Sequence, residues 1–215
     1  MEVVFSEHAD GKYLVMDCEF TGLHAFKHGL TQLAAVVVSE ELESKAVFNE
    51  YVLPPKDVEL VPEAMEISGL DIDFLASKGL VYEKLCSKFI DFISENFKEK
   101  PVVIGQFLPA DYSFLDKIFT NYLGKDTNLQ FFEDILSRNF IDTKSLANIL
   151  NLKAETNDKL KIFESTSLSK PGGLKDTLNI PLDKYKAHDA LEDCLANLEL
   201  LKKMLNLFEL SKNSV

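Results

Sequence analysis

The sequence predicts an α/β protein built on a mixed central β-sheet flanked by helices. Three observations carry this. Short apolar runs rich in β-branched residues crowd the N-terminal part of the chain. Beyond them, strand-like runs alternate with segments whose apolar residues recur at helical spacing. The composition, 46% hydrophobic and 27% charged over 215 residues, belongs to a globular chain long enough for one full core.

The elements follow in order. Tyr13 to Met16, after the turn residues Asp10-Gly11, reads as a buried strand. Leu33 to Val38 and Ala46 to Leu53 read as two more, the last stopped by Pro54-Pro55 because proline gives no amide to a ladder. Pro62 to Glu66 opens a short helix, with proline tolerated in the first turn. Val81 to Phe97 carries Leu85, Phe89, Phe92, Ile93 and Phe97 at helical spacing. Pro101 to Ile104 is a fourth strand, ended by Gly105, and Asp111 to Leu123 is an amphipathic helix. Phe140-Ile141 gives a fifth strand and Thr143 to Leu150 a helix. Lys153 to Gly173 is a polar loop or insert within the same domain, and Ala190 to Leu207 is the last strong helix. The tail after Leu210 is expected to fray. One domain over 1–215, with a core from about residue 13 to 207, accounts for all of it.

Charge and cysteine usage narrow the function. With 23 Lys+Arg against 35 Asp+Glu the net charge is −12, so a basic nucleic-acid coat is excluded. Arg138 is the one arginine, which leaves phosphate contacts to lysines and backbone amides. Three cysteines (Cys18, Cys86, Cys194) with no C-x-x-C pair speak against a disulfide frame or zinc site and for a reducing, intracellular, cytoplasmic setting. No apolar run approaches the roughly 20 residues of a membrane span, and the N-terminus lacks a secretory pattern.

Asp17 and Glu19 close the first strand. Two apart, they share one face. Paired carboxylates there repel unless a cation lies between them, and hard divalent ions want such oxygens. Chance alone supplies roughly one Asp-x-Glu at this acid content. A second copy, Asp57-Val58-Glu59, follows no apolar strand and reads as a solvated loop. Asp111 heads a helix after a strand, which suits a first-turn acid or a ligand at a strand–helix junction. His188 and Asp193 are five apart and would point about 140° away from each other on one helix. Asp189 to Glu192 reads as a capping box, which puts His188 on the loop outside the helix and Asp193 one turn inside.

At these residues the chain resembles the DEDDh 3′–5′ exonuclease superfamily, which includes proofreading exonucleases, RNase T and oligoribonuclease. The first motif is Asp17-Cys18-Glu19-Phe20-Thr21-Gly22-Leu23 and the third is His188-Asp189-Ala190-Leu191-Glu192-Asp193. Ser68-Gly69-Leu70, Ile141-Asp142-Thr143 and Gly173 to Leu178 add similarity in the family's order, from about Tyr13 to Met204. The second motif departs from the family's His-Asn-x-x-Phe-Asp. Here Gly105-Gln106-Phe107-Leu108-Pro109-Ala110-Asp111 keeps the acid but holds Phe107 for the asparagine and Ala110 for the phenylalanine, with Gln106 as a substitute amide.

The resemblance implies an RNase H-like fold and hydrolysis of the terminal phosphodiester of single-stranded DNA or RNA, releasing nucleoside 5′-monophosphates. Asp17, Glu19, Asp111 and Asp193 would hold two Mg²⁺ or Mn²⁺ ions about 4 Å apart, and His188 would take the proton of the attacking water. Phe20, Thr21 and Leu23 would contact the terminal nucleotide, the apolar side chains by stacking. The stretch Lys153 to Lys186, seven lysines against five acids, would guide a short strand or merely be solvated. Partners implied are 3′ ends or short oligonucleotides, and either a second copy or a larger nucleic-acid-processing complex. Two rivals stand beside this reading. One is a catalytically weak exonuclease-like module that binds nucleic acid or a partner. The other is a haloacid-dehalogenase-type phosphatase, which Asp17-x-Glu19-x-Thr21 echoes without that family's downstream Gly-Asp-x-x-x-Asp loop.

Overall fold

The computed structural model describes residues 3–122, 134–181 and 183–210. Five strands form one sheet in the order β3-β2-β1-β4-β5. The strands are β1 (Gly11–Phe20), β2 (Leu30–Val38), β3 (Ser44–Tyr51), β4 (Phe97–Gly105) and β5 (Phe140–Asp142). β1, β2 and β3 form an antiparallel meander, whereas β4 and β5 run parallel to β1. The sheet is therefore mixed, as the sequence predicts.

The period-2 alternation of β1 sends its side chains to two cores. Leu14, Met16 and Cys18 face α3 (Tyr82–Asn96) and α4 (Pro109–Tyr122), packing among Leu85, Phe89, Ile93, Leu115 and Phe119. Val15, with Ala34, Val36 and Ile104 of the neighbouring strands, faces Ala190, Cys194, Leu198 and Leu201 of α7 (Ala190–Leu210). Each fully buried aliphatic side chain here is worth about 1.5–3 kcal/mol. Both faces of the central strand are covered, so its register is fixed.

Several expected boundaries move. β4 starts at Phe97, directly after α3, because the polar run Lys98-Glu99-Lys100 hides its first half from an apolar-run reading. Two short helices follow the third strand: α1 (Pro62–Ser68), ended by Gly69 at φ 68°, and α2 (Ile72–Lys78). The second was not expected. Leu75 alone of its side chains is buried, so it lacks an amphipathic stripe, and its signal is the N-cap Asp71, which accepts from Phe74 N at 2.7 Å. Helix α4 was expected to reach Leu123, which lies outside the described residues, as does the tail after Leu210.

The polar segment at 153–173 begins inside α5 (Thr143–Glu155) and leads to the short helix α6 (Leu174–Thr177). It is pinned rather than solvated throughout. Phe163 is buried with Leu150, Leu174 and Met204. The Asn151 side chain bonds both the carbonyl and the amide of Phe163, each at 2.9 Å. Among the described residues no helix is long and apolar enough to cross a membrane.

Candidate active site

Pairing of β1 with β4 reaches Val15↔Ile104, whereas β1 stays paired with β2 through Asp17↔Ala34 and Glu19↔Gln32. A crevice thus opens at the carboxyl ends of the parallel strands, the usual ligand position of open α/β sheets. Asp17 and Glu19 fall on the α7 face of β1, as their spacing predicts. Gly105 makes the other wall possible: a Cβ there would sit 2.7 Å from Met16 O and 2.5 Å from Leu108 Cδ2. The chain turns after Gly105. Leu108 N donates to Asp142 Oδ2 at 3.0 Å, and Asp142 also caps α5 by accepting from Ser145 N. Asp111 then lies in the first turn of α4, only 3% exposed, and its carboxylate accepts from the thiol and backbone of Cys18.

The third wall is the start of α7. Asp189 accepts from the amides of Leu191 and Glu192, the N-cap half of the capping box expected from the sequence. His188 lies outside the helix, as expected, exposed and with φ +60°. Its backbone amide donates to Asp193 Oδ2 at 3.0 Å. Ligand atoms of Glu19, His188 and Asp193 lie within 4.8 Å of one another, close enough to share one ion. Asp17 and Asp111 are not part of that tight trio but act on it electrostatically.

The electrostatics ask for a cation. Burial pushes Asp17 well above the usual carboxylate range, and Asp111, Asp193 and Glu19 push it further. Glu19 is raised to about 8 by desolvation, then by Asp193 and Asp111. Desolvation raises Asp111 and Asp193 as well, opposed by the Cys18 and His188 hydrogen bonds respectively. Asp193 Oδ1 is buried with no hydrogen-bond partner. Four crowded acids and one orphaned oxygen fit hard divalent cations. Desolvation lowers the His188 pKa, which favours the neutral imidazole a proton acceptor needs.

The expected substrate residues separate into two kinds. Leu23 is 90% exposed at the tip of the loop after β1. Phe20 stacks on Phe114 with centroids 4.0 Å apart. Thr21 is fully buried; its hydroxyl donates to Glu59 O at 2.7 Å and accepts from Gly29 N at 2.9 Å, so its side chain holds the loop. Both ends of the Gln106 amide meet protein groups, Nε2 donating to Thr166 O and Oε1 accepting from Thr143, each at 2.8 Å. Gln106 thereby joins the 153–173 segment to the end of β4.

Two contributors were given no individual role in the sequence reading. Gln32 is buried opposite Glu19; its Oε1 accepts from Ala190 N at 3.2 Å and its Nε2 donates to Asn49 Oδ1 at 3.0 Å. It moors the start of α7 to the sheet. Its signal was one polar residue inside an apolar strand. Lys175 is fully buried, donates to Tyr185 O at 3.3 Å, and opposes the upward shift of Asp193. Nothing in its local pattern marks a lysine as buried.

With the geometry in place, comparison with known proteins gives a consistent result. The RNase T-type exonuclease family model matches residues 14–201. DNA polymerase III subunit epsilon of Aquifex aeolicus (strain VF5) is 26% identical over 121 residues, covering 54% of this chain and 53% of that protein. The zinc-bound form of the E. coli exonuclease I–ssDNA complex superposes with TM-score 0.70 at 16% identity, over 92% of this chain and 41% of that one. Exonuclease I of Methylocaldum szegediense gives TM-score 0.67 at 19% identity, over 90% and 40%. The mixed sheet is thus the RNase H-like fold of exonuclease I. The chain spans about half the length of the curated relative and about two fifths of these exonuclease I chains.

Proposed function

The chain belongs to the RNase T-type exonuclease family, and we propose that it is a 3′–5′ exonuclease hydrolysing terminal phosphodiesters of single-stranded DNA or RNA to nucleoside 5′-monophosphates. The observation that carries this is the approach of Glu19, His188 and Asp193 ligand atoms within 4.8 Å, with Asp111 near enough to raise the pKa of both Asp17 and Glu19, and with Asp193 Oδ1 left unpartnered. These four acids would hold two Mg²⁺ or Mn²⁺ ions. When bound, such ions would lower the pKa of the attacking water and neutralise charge building on the phosphoryl oxygens.

The chain's own residues do the rest. Asp17 and Glu19 are fixed by the central strand, Asp111 by α4 and the Cys18 bonds, and Asp193 by the His188 amide. His188 accepts the water proton at a ring nitrogen; desolvation, which lowers its pKa, supports that role. Leu23 and the loop held by Thr21 and Phe20 border the place of the terminal nucleotide. The exonuclease I structures named above were solved with single-stranded DNA in one case, and the epsilon relative is a polymerase subunit. Both support 3′ ends of single strands as substrate and membership of a larger complex as an alternative to a homodimer.

The test is digestion of 5′-labelled single strands, DNA and RNA side by side, with Mg²⁺ or Mn²⁺. The expected result is a ladder shortened from the 3′ end that vanishes with EDTA and in Asp17→Ala. Inactivity on both polymers would overturn the enzyme reading in favour of a binding module.

A further inference from the structure

Phe107 occupies an expensive conformation. Its φ is +58°, in the left-handed region that suits glycine and asparagine. A bulky residue there costs about 1–3 kcal/mol. Core packing does not compensate, because the side chain is 53% exposed. The mount is nonetheless firm. Gln106 before it is bonded to Thr143 and Thr166, and Leu108 after it to Asp142. Phe107 stands at the carboxyl end of β4, four residues ahead of Asp111. Strain of this kind, over-determined by its surroundings, gathers at working sites.

A cation accompanies the ring. Nζ of Lys144, a half-buried residue in the first turn of α5, sits 4.4 Å from the Phe107 centroid. One face of the ring therefore meets an ammonium, and about half of the residue is open to solvent. In a chain with net charge −12 and a single arginine, a lysine paired with an open aromatic, at the same carboxyl end of the parallel strands as Asp17 and Glu19, has a specific chemical complement. A nucleobase stacks on such a ring, and an adjoining phosphate meets the ammonium.

We propose that Phe107 and Lys144 form a nucleotide platform on the same sheet end as the acids, with a substrate base stacked on Phe107 and a backbone phosphate against Lys144. This rests on the exonuclease reading and adds to it a contact that the departed second motif provides in place of an amide.

The test uses the full chain in an Asp17→Asn background, which retains strands without cutting them. Affinity is read by fluorescence anisotropy for 5′-labelled single strands carrying one abasic nucleotide at successive positions from the 3′ end. Loss of the stacked base should weaken binding about 10-fold at one position, within the range for a single base–aromatic stack. Phe107→Asn removes the ring while keeping a residue that tolerates left-handed backbone. It should bind intact and abasic strands alike, with a melting temperature no lower than that of the wild type. Phe107→Trp should restore the penalty. Lys144→Gln should flatten the slope of log Kd against log salt by about 0.7. An abasic penalty that persists in Phe107→Asn overturns the platform and leaves the exonuclease reading intact if the wild-type chain digests single strands. A wild-type chain that neither binds nor digests them overturns both.

Discussion

Two copies of one pattern, Asp17-Cys18-Glu19 and Asp57-Val58-Glu59, lie in the same chain and behave as different chemistry. The first ends the central strand, where burial and neighbouring acids raise both carboxyls, Glu19 to about 8. The second lies on an exposed loop, with Glu59 3.9–4.0 Å from His28 and Lys27 at its surface. Spacing is identical; solvation and company differ. A carboxylate becomes a ligand when the fold withholds water and places other acids around it.

The sharpest way to break this comparison is to remove one acid from each copy. Asp17→Ala should lower kcat/KM by about 10³-fold or more, since a ligand of the charge-neutralising ions is lost. Asp57→Ala should leave the rate within about 2-fold, because an exposed carboxylate outside the acidic cluster acts weakly. Equal losses in steady-state assays would mean the two copies are not distinguished by their setting. Next in size, His188→Gln should cost roughly 10²–10³-fold in kcat with little change in KM, as loss of a general base does.

Protonation gives a smaller, stability-based contrast. Glu19 has a folded pKa raised above its ordinary value of 4.5 to about 8, so the folded state holds a proton there that the unfolded chain has released. Its favourable contribution is complete below about pH 4.5 and is lost as pH rises towards 8. In EDTA the melting temperature should therefore fall across that window, by about 2–4 °C for each kcal/mol of repulsion exposed. Mn²⁺ should reverse the fall, and more strongly at pH 8 than at pH 5. Scanning calorimetry with and without Mn²⁺ checks both signs; a flat profile in EDTA would remove the crowding argument.

The smallest effects belong to the loop between the two copies. Thr21→Val leaves Glu59 O and Gly29 N without the hydroxyl that joins them. It should lower stability by about 1–3 kcal/mol and raise KM more than it lowers kcat. Glu59→Gln keeps that carbonyl and alters only an exposed ion pair, so its change in unfolding free energy should stay within about 0.5 kcal/mol.

Much of this was legible in the sequence because it depended on local periodicity. The apolar run at Leu33 to Val38, the helical stripe of α3 and the cap at Asp189 each declare themselves within a few residues. The acids were read from the resemblance to the exonuclease motifs rather than from spacing alone, and the loop position of His188 from the cap that excludes it from the helix. Helix α2 was not, because it buries one side chain and has no stripe to read. The anchoring bonds of Gln32, Gln106 and Lys175 were illegible for another reason. Their roles depend on partners 158, 60 and 10 residues away, and no local pattern encodes such a partner. Thr21 shows the reverse: its motif position suggests substrate, whereas both bonds of its hydroxyl stay within the loop scaffold.

The placement of β1 between β2 and β4 has a consequence for deuterium uptake. Amides of Leu14 to Met16 can swap their hydrogens only when the whole sheet comes apart, so their labelling clock runs at the rate of global opening. The His188 amide, tied to one carboxylate on an exposed loop, keeps a far faster clock. One labelling time course thus separates the immobile anchor of the acids from the histidine that must reach them.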